Sequence, residues 1–253
     1  MTAQRITDTE TIRALVDGFE GWYHQIEFAP GIVTPGQHPS KRMLQNLDEM
    51  GLPGDCTGLR VLDVGCRDGF FTFEMERRGA DILGIDYAVP EATGFPIGAK
   101  IFGSHAPYRI ENVYHLNPEE HGHFDVVLFL GVIYHLRNPL LALDAVRSVT
   151  KPGGLIFVTS QLATTQELQE LTEPVWQFCP RDWLCGDASN KWAPNVPGLK
   201  KAVEECQFEV LACTDVEQRI LLKARAISDA SLEFHRKLDA SEGKWGTADV
   251  LDL

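Results

Sequence analysis

The segment VLDVGCRDGFF (61–71) constrains this chain more than any other. An apolar run ends in Asp63-Val64, a Gly-x-x-x-Gly turn follows from Gly65 to Gly69, and a helical stretch opens at Phe70. The next short apolar run, DILGID (81–86), ends in Asp86, 21 residues after Gly65. Strand, glycine turn, helix and second strand make one βαβ unit. The alternation continues through FDVVLFLG (124–131), NPLLALDAVRSV (138–149) and GLIFVTS (154–160). Short, nearly continuous apolar runs separated by helical patterns predict a parallel sheet covered on both faces, a doubly wound α/β fold. Two late runs, FEVLACTDV (208–216) and RILLKARAI (219–227), are close enough to form an antiparallel hairpin at its end.

The turn is not a dinucleotide fingerprint. Arg67 stands where G-x-G-x-x-G has its second glycine, and the last glycine comes one residue early. A pyrophosphate would sit on the helix N-terminus, where Asp63 and Asp68 would repel it. Acidic residues there suit a cationic ligand without phosphate, such as S-adenosylmethionine, which carries a sulfonium and an ammonium. The plainer alternative is a glycine turn that serves only close helix packing.

Around this core, 1–58 is expected to be an N-terminal helical extension or lid. Thr7 and Glu10 have capping-box spacing before Ile12, Leu15, Val16 and Phe19, and Ser40 is the expected cap of a second helix. Residues 22–36 lack any period and predict a loop or short strands. The core is expected over 59–227. In it, Asn138-Pro139 starts a helix, Lys151-Pro152-Gly153-Gly154 turns that helix into a strand, and Asn195 with Pro197 starts another helix. The irregular stretch 161–196 is expected to be a lid-like insertion, and 228–253 a polar, partly disordered tail.

At 253 residues the chain needs no disulfide or metal staple. Its six cysteines form no C-x-x-C, which fits a reducing, cytoplasmic setting. No apolar run reaches membrane-spanning length and no export signal is visible, so neither membrane nor secretion is expected. A net charge of −13 disfavours nucleic acid as a partner, short of a local basic patch.

VLDVGCRDG, LGIDY and FDVVLFLGVIYHLRNPLLAL together resemble the motifs of class I S-adenosylmethionine-dependent methyltransferases. More narrowly, WYHQI (22–26), GIVTPG (31–36), GVIYHLRNP (131–139) and NKWAPN (190–195) resemble the tRNA wobble-uridine (mo5U34) methyltransferase-like family. The resemblance implies a Rossmann-like, mostly parallel seven-stranded sheet. It further implies S-adenosylmethionine as cofactor and S-adenosylhomocysteine as product. Asp63, Gly65, Arg67, Asp68 and Gly69 would line the methionine end. Asp86 would hold the ribose with Tyr87 near the adenine, Asn112 and Val113 would meet the adenine edge, and Leu130, Gly131 and Tyr134 would lie under the sulfonium. Founding members of the family use carboxy-S-adenosylmethionine and hold its carboxylate with Lys, Tyr and Arg. Tyr134 and Arg219 match the last two, whereas His24 falls at about the lysine, which favours ordinary S-adenosylmethionine.

Methyl transfer needs an oriented nucleophile and a dry site. For a hydroxyl acceptor, an imidazole base suits neutral pH. His135 and His24 are the candidates, with Tyr134 beside them; a hydrogen-bonded structural role is the alternative for each histidine. Trp22, Tyr23, His24, Trp192, Asn195 and Arg219 are the expected acceptor side, against the alternative of a small core under a loop. His121-Gly122-His123 lacks Cys or carboxylates at ligand spacing, so it predicts a solvated loop and no metal. The expected function is O-methylation of a small molecule of secondary or sugar metabolism. The alternatives are a tRNA wobble-uridine carboxymethyl- or methyltransferase and a non-methylating module that binds an adenosyl cofactor. An oligomer is compatible with the sequence.

Overall fold

The computed structural model describes residues 4–227; the predicted tail 228–253 lies outside the described residues. The chain begins with helix α1 (Thr9–Asp17), a short ribbon of β1 (Glu27–Ala29) and β2 (Ile32–Val33), and helix α2 (Ser40–Glu49). Then comes the alternation expected from the apolar runs: β3 (Arg60–Val64), α3 (Phe70–Arg77), β4 (Asp81–Asp86), α4 (Phe95–Phe102), β5 (Tyr108–Ile110), α5 (Pro118–His121), β6 (Phe124–Leu130), α6 (Pro139–Val149) and β7 (Thr150–Gln161). The stretch after β7 holds α7 (Gln166–Glu170) and a ribbon of β8 (Trp176–Phe178) and β9 (Trp192–Pro194). Helix α8 (Val196–Glu205) and the hairpin β10 (Phe208–Val216) and β11 (Arg219–Ala226) follow.

The main sheet has seven strands in the order β10-β11-β7-β6-β3-β4-β5. The five from β7 to β5 run parallel, and β11 pairs antiparallel with both β7 and β10. Val61, Leu62, Val126, Val127, Leu128, Phe129, Ile156, Phe157 and Val158 are all buried, because helices cover both faces of these central strands. One layer packs α6 and α8 on the sheet through Leu143, Val146, Leu199 and Val203; the other seats Leu47, Phe71 and Met75. Arg147 is buried on α6, yet its guanidinium donates to the carbonyls of Gln207, Thr150 and Ile227, tying α6 to the hairpin.

Local differences from expectation have clear causes. Asp8, not Thr7, caps α1, because its carboxylate accepts from Thr11 N at 2.8 Å. Ser40 is the first helical residue of α2, and its hydroxyl turns back to the His38 carbonyl. Lys151-Pro152-Gly153-Gly154 does not separate α6 from the strand. β7 starts at Thr150 and absorbs these residues as an irregularity, its register on β6 jumping from Phe124↔Thr150 to Val126↔Leu155. Asn195 caps α8 as expected, its Oδ1 accepting from Gly198 N at 2.8 Å. The β10–β11 turn is Glu217-Gln218, both at positive φ (51° and 66°), the twist a tight two-residue hairpin requires. No helix of the described residues is long and apolar enough to cross a membrane.

Candidate active site

In an open α/β sheet the crevice lies beyond the carboxyl ends of the parallel strands. Here those ends carry Asp63, Asp86 and Leu130. Gly65 and Gly69 have φ of +75° and +84°, a region open to glycine without strain. A side chain at Gly65 would also collide with Val132 from the β6 end, so the two loops meet face to face.

Asp63 is fully buried, with Thr72 Oγ1 donating to its Oδ2 at 2.6 Å. Burial pushes its carboxyl up to about 7; Thr72 opposes the rise and the Asp86 charge adds to it. Asp86, also buried, accepts from Arg67 N at 3.0 Å and from Ala88 N at 2.9 Å. Two buried carboxyls thus lie at the carboxyl ends of neighbouring strands, and among the described residues the hydrogen bonds they receive come from a hydroxyl and backbone amides. That environment stabilises a cation and disfavours a phosphate, so it fits S-adenosylmethionine. Asp86 and Asp63 would hold the cofactor, with Asn112 and Val113 at the β5 end. Asn112 caps the turn after β5 through Tyr114 N, Val113 is buried, and Tyr87 is 83 % exposed at the rim. Replacing Asp86 by Ala is expected to weaken cofactor binding by about 1–3 kcal/mol, the range for hydrogen bonds to a charged group. Calorimetry with S-adenosylhomocysteine measures it.

Asp68 is engaged with backbone amides. It is fully buried, and its carboxylate accepts from Tyr23 N (2.6 Å), His24 N (2.8 Å) and Gly94 N (2.9 Å). It therefore clamps the N-terminal segment and the start of α4 to the glycine turn. His24 lies beside it. Its ring is enclosed by Tyr23, Phe70 and Phe71, with Nδ1 3.7 Å from Asp68 Oδ2. Burial drives its pKa down to about 4, against the pull of Asp68. The ring is thus packed and held neutral in this structure. Trp22 is core as well: its indole donates to Val16 O, and its ring lies against Gly94 closely enough to exclude a side chain there.

Three other expected site residues come together. Tyr134 is 1 % exposed, and its hydroxyl accepts from Arg219 Nη1 at 3.3 Å. Arg219 reaches this edge because β11 runs antiparallel, pairing Arg219 with Gln161 at the carboxyl end of β7. Tyr23 joins them: burial pushes its hydroxyl pKa up, Tyr134 pushes it further, and Arg219 holds it back. His38, which the sequence did not single out, stacks on Tyr23 at 3.9 Å. Burial lowers its pKa and Arg219 lowers it more, so it is neutral.

His135 packs on Tyr134 with ring centroids 4.3 Å apart. Its Nδ1 lies 2.9 Å from Ser189 Oγ, and that hydroxyl donates to Asp187 Oδ1 at 2.6 Å. Since the Ser189 proton goes to the carboxylate, Ser189 must accept from Nδ1–H, which leaves a free lone pair on Nε2. Burial lowers the His135 pKa; Asp187 pulls it back, and Arg219 and Lys191 push it down. The sequence signal for the two supporting residues was Asp187-Ala188-Ser189, an Asx turn in which Asp187 also accepts from Ser189 N.

Trp192 and Asn195 make contacts of their own within the 161–196 stretch and its neighbours. The Trp192 indole donates to Leu136 O and packs on Phe178 in the β8–β9 ribbon. Asn195 is fully buried; besides its cap it accepts from Val175 N and donates to the carbonyls of Leu168, Leu171 and Glu173. His121, expected in a solvated loop, is 4 % exposed.

A family model described as a methyltransferase domain matches residues 36–212. The chain belongs to the methyltransferase-domain family. Among its relatives is a ubiquinone biosynthesis O-methyltransferase of Acinetobacter baumannii (strain AYE), 34 % identical over 131 residues that cover 49 % of this chain and 55 % of that protein. Another is a tRNA U34 carboxymethyltransferase of Saccharophagus degradans, 30 % identical over 162 residues, 63 % of this chain and 47 % of that one. The chain thus spans about half the length of these relatives. The N-terminal domain of EvdMO1, solved with SAH and D-fucose, shares the fold: TM-score 0.61 and 22 % identity over 87 % of this chain and 98 % of that one.

Proposed function

We propose that this methyltransferase moves the methyl group of S-adenosylmethionine to a hydroxyl oxygen of a small-molecule acceptor. The cofactor supplies a carbon activated by its sulfonium. The protein's own contribution is position, dryness and a proton acceptor. What carries the reading is the Asp187–Ser189–His135 chain, which holds His135 in the tautomer with Nε2 free. That nitrogen would take the acceptor's proton as the new C–O bond forms. Tyr23, Tyr134 and Arg219 would orient the acceptor, and the 161–196 stretch, which supplies Ser189, would cover it as a lid over a core of 59–227, with 1–58 as the opposite wall. Incubation with methyl-labelled cofactor and a metabolite extract is expected to label a low-mass product; label confined to RNA would reject the reading.

A second reading has its own support: the Tyr134–Arg219 pair at 3.3 Å is a ready carboxylate anchor, and one relative is named a tRNA U34 carboxymethyltransferase. Against it, His24 turns into the core and offers no third cation. Mass spectrometry of the co-purifying adenosyl compound separates the two: a carboxylated sulfonium favours tRNA carboxymethyl transfer, the plain compound or its homocysteine product favours the first. Cofactor binding with no S-adenosylhomocysteine release from any acceptor would point to a binding module.

A further inference from the structure

We propose that Thr72 is a positioning residue for the cofactor: its hydroxyl holds the Asp63 carboxylate ready for the cofactor's cationic end, and Gly84 of β4 leaves the room it needs. The proposal rests on the placement of Asp63 at the methionine end of S-adenosylmethionine.

β3 and β4 pair in parallel with Asp63 opposite Gly84. Side chains alternate along a strand. Val61 and Ile82, two residues back on each strand, pack in the layer that holds Phe71 and Met75 of α3. Asp63 and position 84 therefore share the face that α3 covers, where a carboxylate would stand against an apolar layer. Thr72, fully buried on α3, answers this. Its Oγ1 donates to Asp63 Oδ2 at 2.6 Å, the one side-chain hydrogen bond that Asp63 receives among the described residues. Gly84 lies in regular strand, so what it contributes is space. A Cβ there would come within 3.1 Å of Thr72 Oγ1 and 3.1 Å of Cys66 Sγ. Any side chain at 84 would press on the donor.

A hydroxyl carries a single proton to donate. Given to Oδ2, it favours the ionised acid and leaves Oδ1 for the cofactor's ammonium. Nothing else around Asp63 does this as strongly. Burial pushes its carboxyl up to about 7; the Thr72 hydroxyl is the largest opposing influence, the Asp86 charge from the β4 end adds to the rise, and the Thr72 backbone amide opposes it. In the turn, burial and then the Asp63 charge raise the Cys66 thiol, which stays neutral. Leu128, the register partner of Asp63 on β6, is apolar. Without the hydroxyl, Asp63 would be protonated at neutral pH, and a cationic ligand would have to displace that proton in order to bind.

The test is calorimetry of S-adenosylhomocysteine, which keeps the ammonium, on the full chain and its Thr72→Val, Thr72→Ser and Asp63→Asn variants. The pH runs from about 6 to about 9, on both sides of the Asp63 titration. Valine keeps the shape of threonine without the donor. Wild-type affinity is expected to fall as the pH drops through about 7. Thr72→Val is expected to bind about 10-fold or more weakly at neutral pH, in line with the loss of a hydrogen bond to a charged group. Its deficit relative to wild type should shrink as the pH rises and both carboxyls ionise; the ligand's own ionisation cancels in that ratio. Thr72→Ser should restore most of the affinity. No deficit, a deficit equal at every pH, or a serine variant as weak as valine would overturn the proposal. Asp63→Asn separates it from the placement of Asp63: unchanged binding there would overturn both, whereas weakened binding there with a pH-independent deficit in Thr72→Val would overturn the role of Thr72 alone.

Discussion

Asp68→Ala is expected to cost about 3–5 kcal/mol of folding stability, among the larger effects of a single substitution. The carboxylate is fully buried and accepts from three backbone amides, those of Tyr23, His24 and Gly94. Alanine leaves all three without an acceptor in a place water does not reach. Each orphaned amide costs roughly 1–3 kcal/mol, partly relieved by local movement. Asp68→Asn keeps one oxygen and should lose distinctly less. Urea unfolding of the three proteins measures the difference. A loss below about 1 kcal/mol for Asp68→Ala, the worth of one ordinary hydrogen bond, would show that the clamp is not needed.

His135→Asn is expected to lower kcat by about 100-fold or more while leaving cofactor affinity unchanged, because general-base catalysis contributes roughly 10²–10⁴. The pH profile carries the mechanism. Burial lowers the His135 pKa below the ordinary imidazole value. The base works only when unprotonated, so kcat should hold through neutral pH and fall only as the pH drops through that depressed value. Ser189→Ala removes the hydroxyl between His135 and Asp187 and frees the ring to take the other tautomer. It should lower kcat less than His135→Asn while shifting the acid limb of the profile. A His135→Asn enzyme with full kcat would mean that the acceptor arrives already ionised.

The parts of the site legible in the sequence were those encoded locally. The strand–turn–helix at 61–71 and the carboxylate closing DILGID have fixed spacings, and backbone geometry alone delivers them to one edge. Asn195-Pro197 was legible as a helix start for the same reason. What that pattern concealed was the destination of each polar or aromatic side chain. Asp68 lies one residue from the glycine that ends the turn, so it looked like a ligand residue. Only the folding back of a segment 44 and 45 residues away turns it into a clamp. Trp22, Trp192 and Asn195 were singled out as chemistry in irregular stretches, and in the structure each also makes hydrogen bonds that tie its stretch down. A loop without periodicity must satisfy its backbone somehow, and large or multivalent side chains do it. Ser189 lies 54 residues from His135, and no local rule couples them. His121 was expected in a solvated loop, yet it is buried at the end of α5, beside Glu111 from the loop after β5.

The turn at Glu217-Gln218 has a bearing on how such sites diversify. Arg219 is the first residue after it, and strand pairing allows one phase only: a slip of a single position would send the guanidinium to the opposite face of the sheet. A change of length in this bend that shifted β11 by one position would therefore remove the charge beside Tyr134 without any substitution at Tyr134 itself. If Arg219 orients the acceptor as proposed, selectivity for anionic over neutral acceptors would depend on the phase of a surface hairpin, and chimeras that swap only this bend would test it.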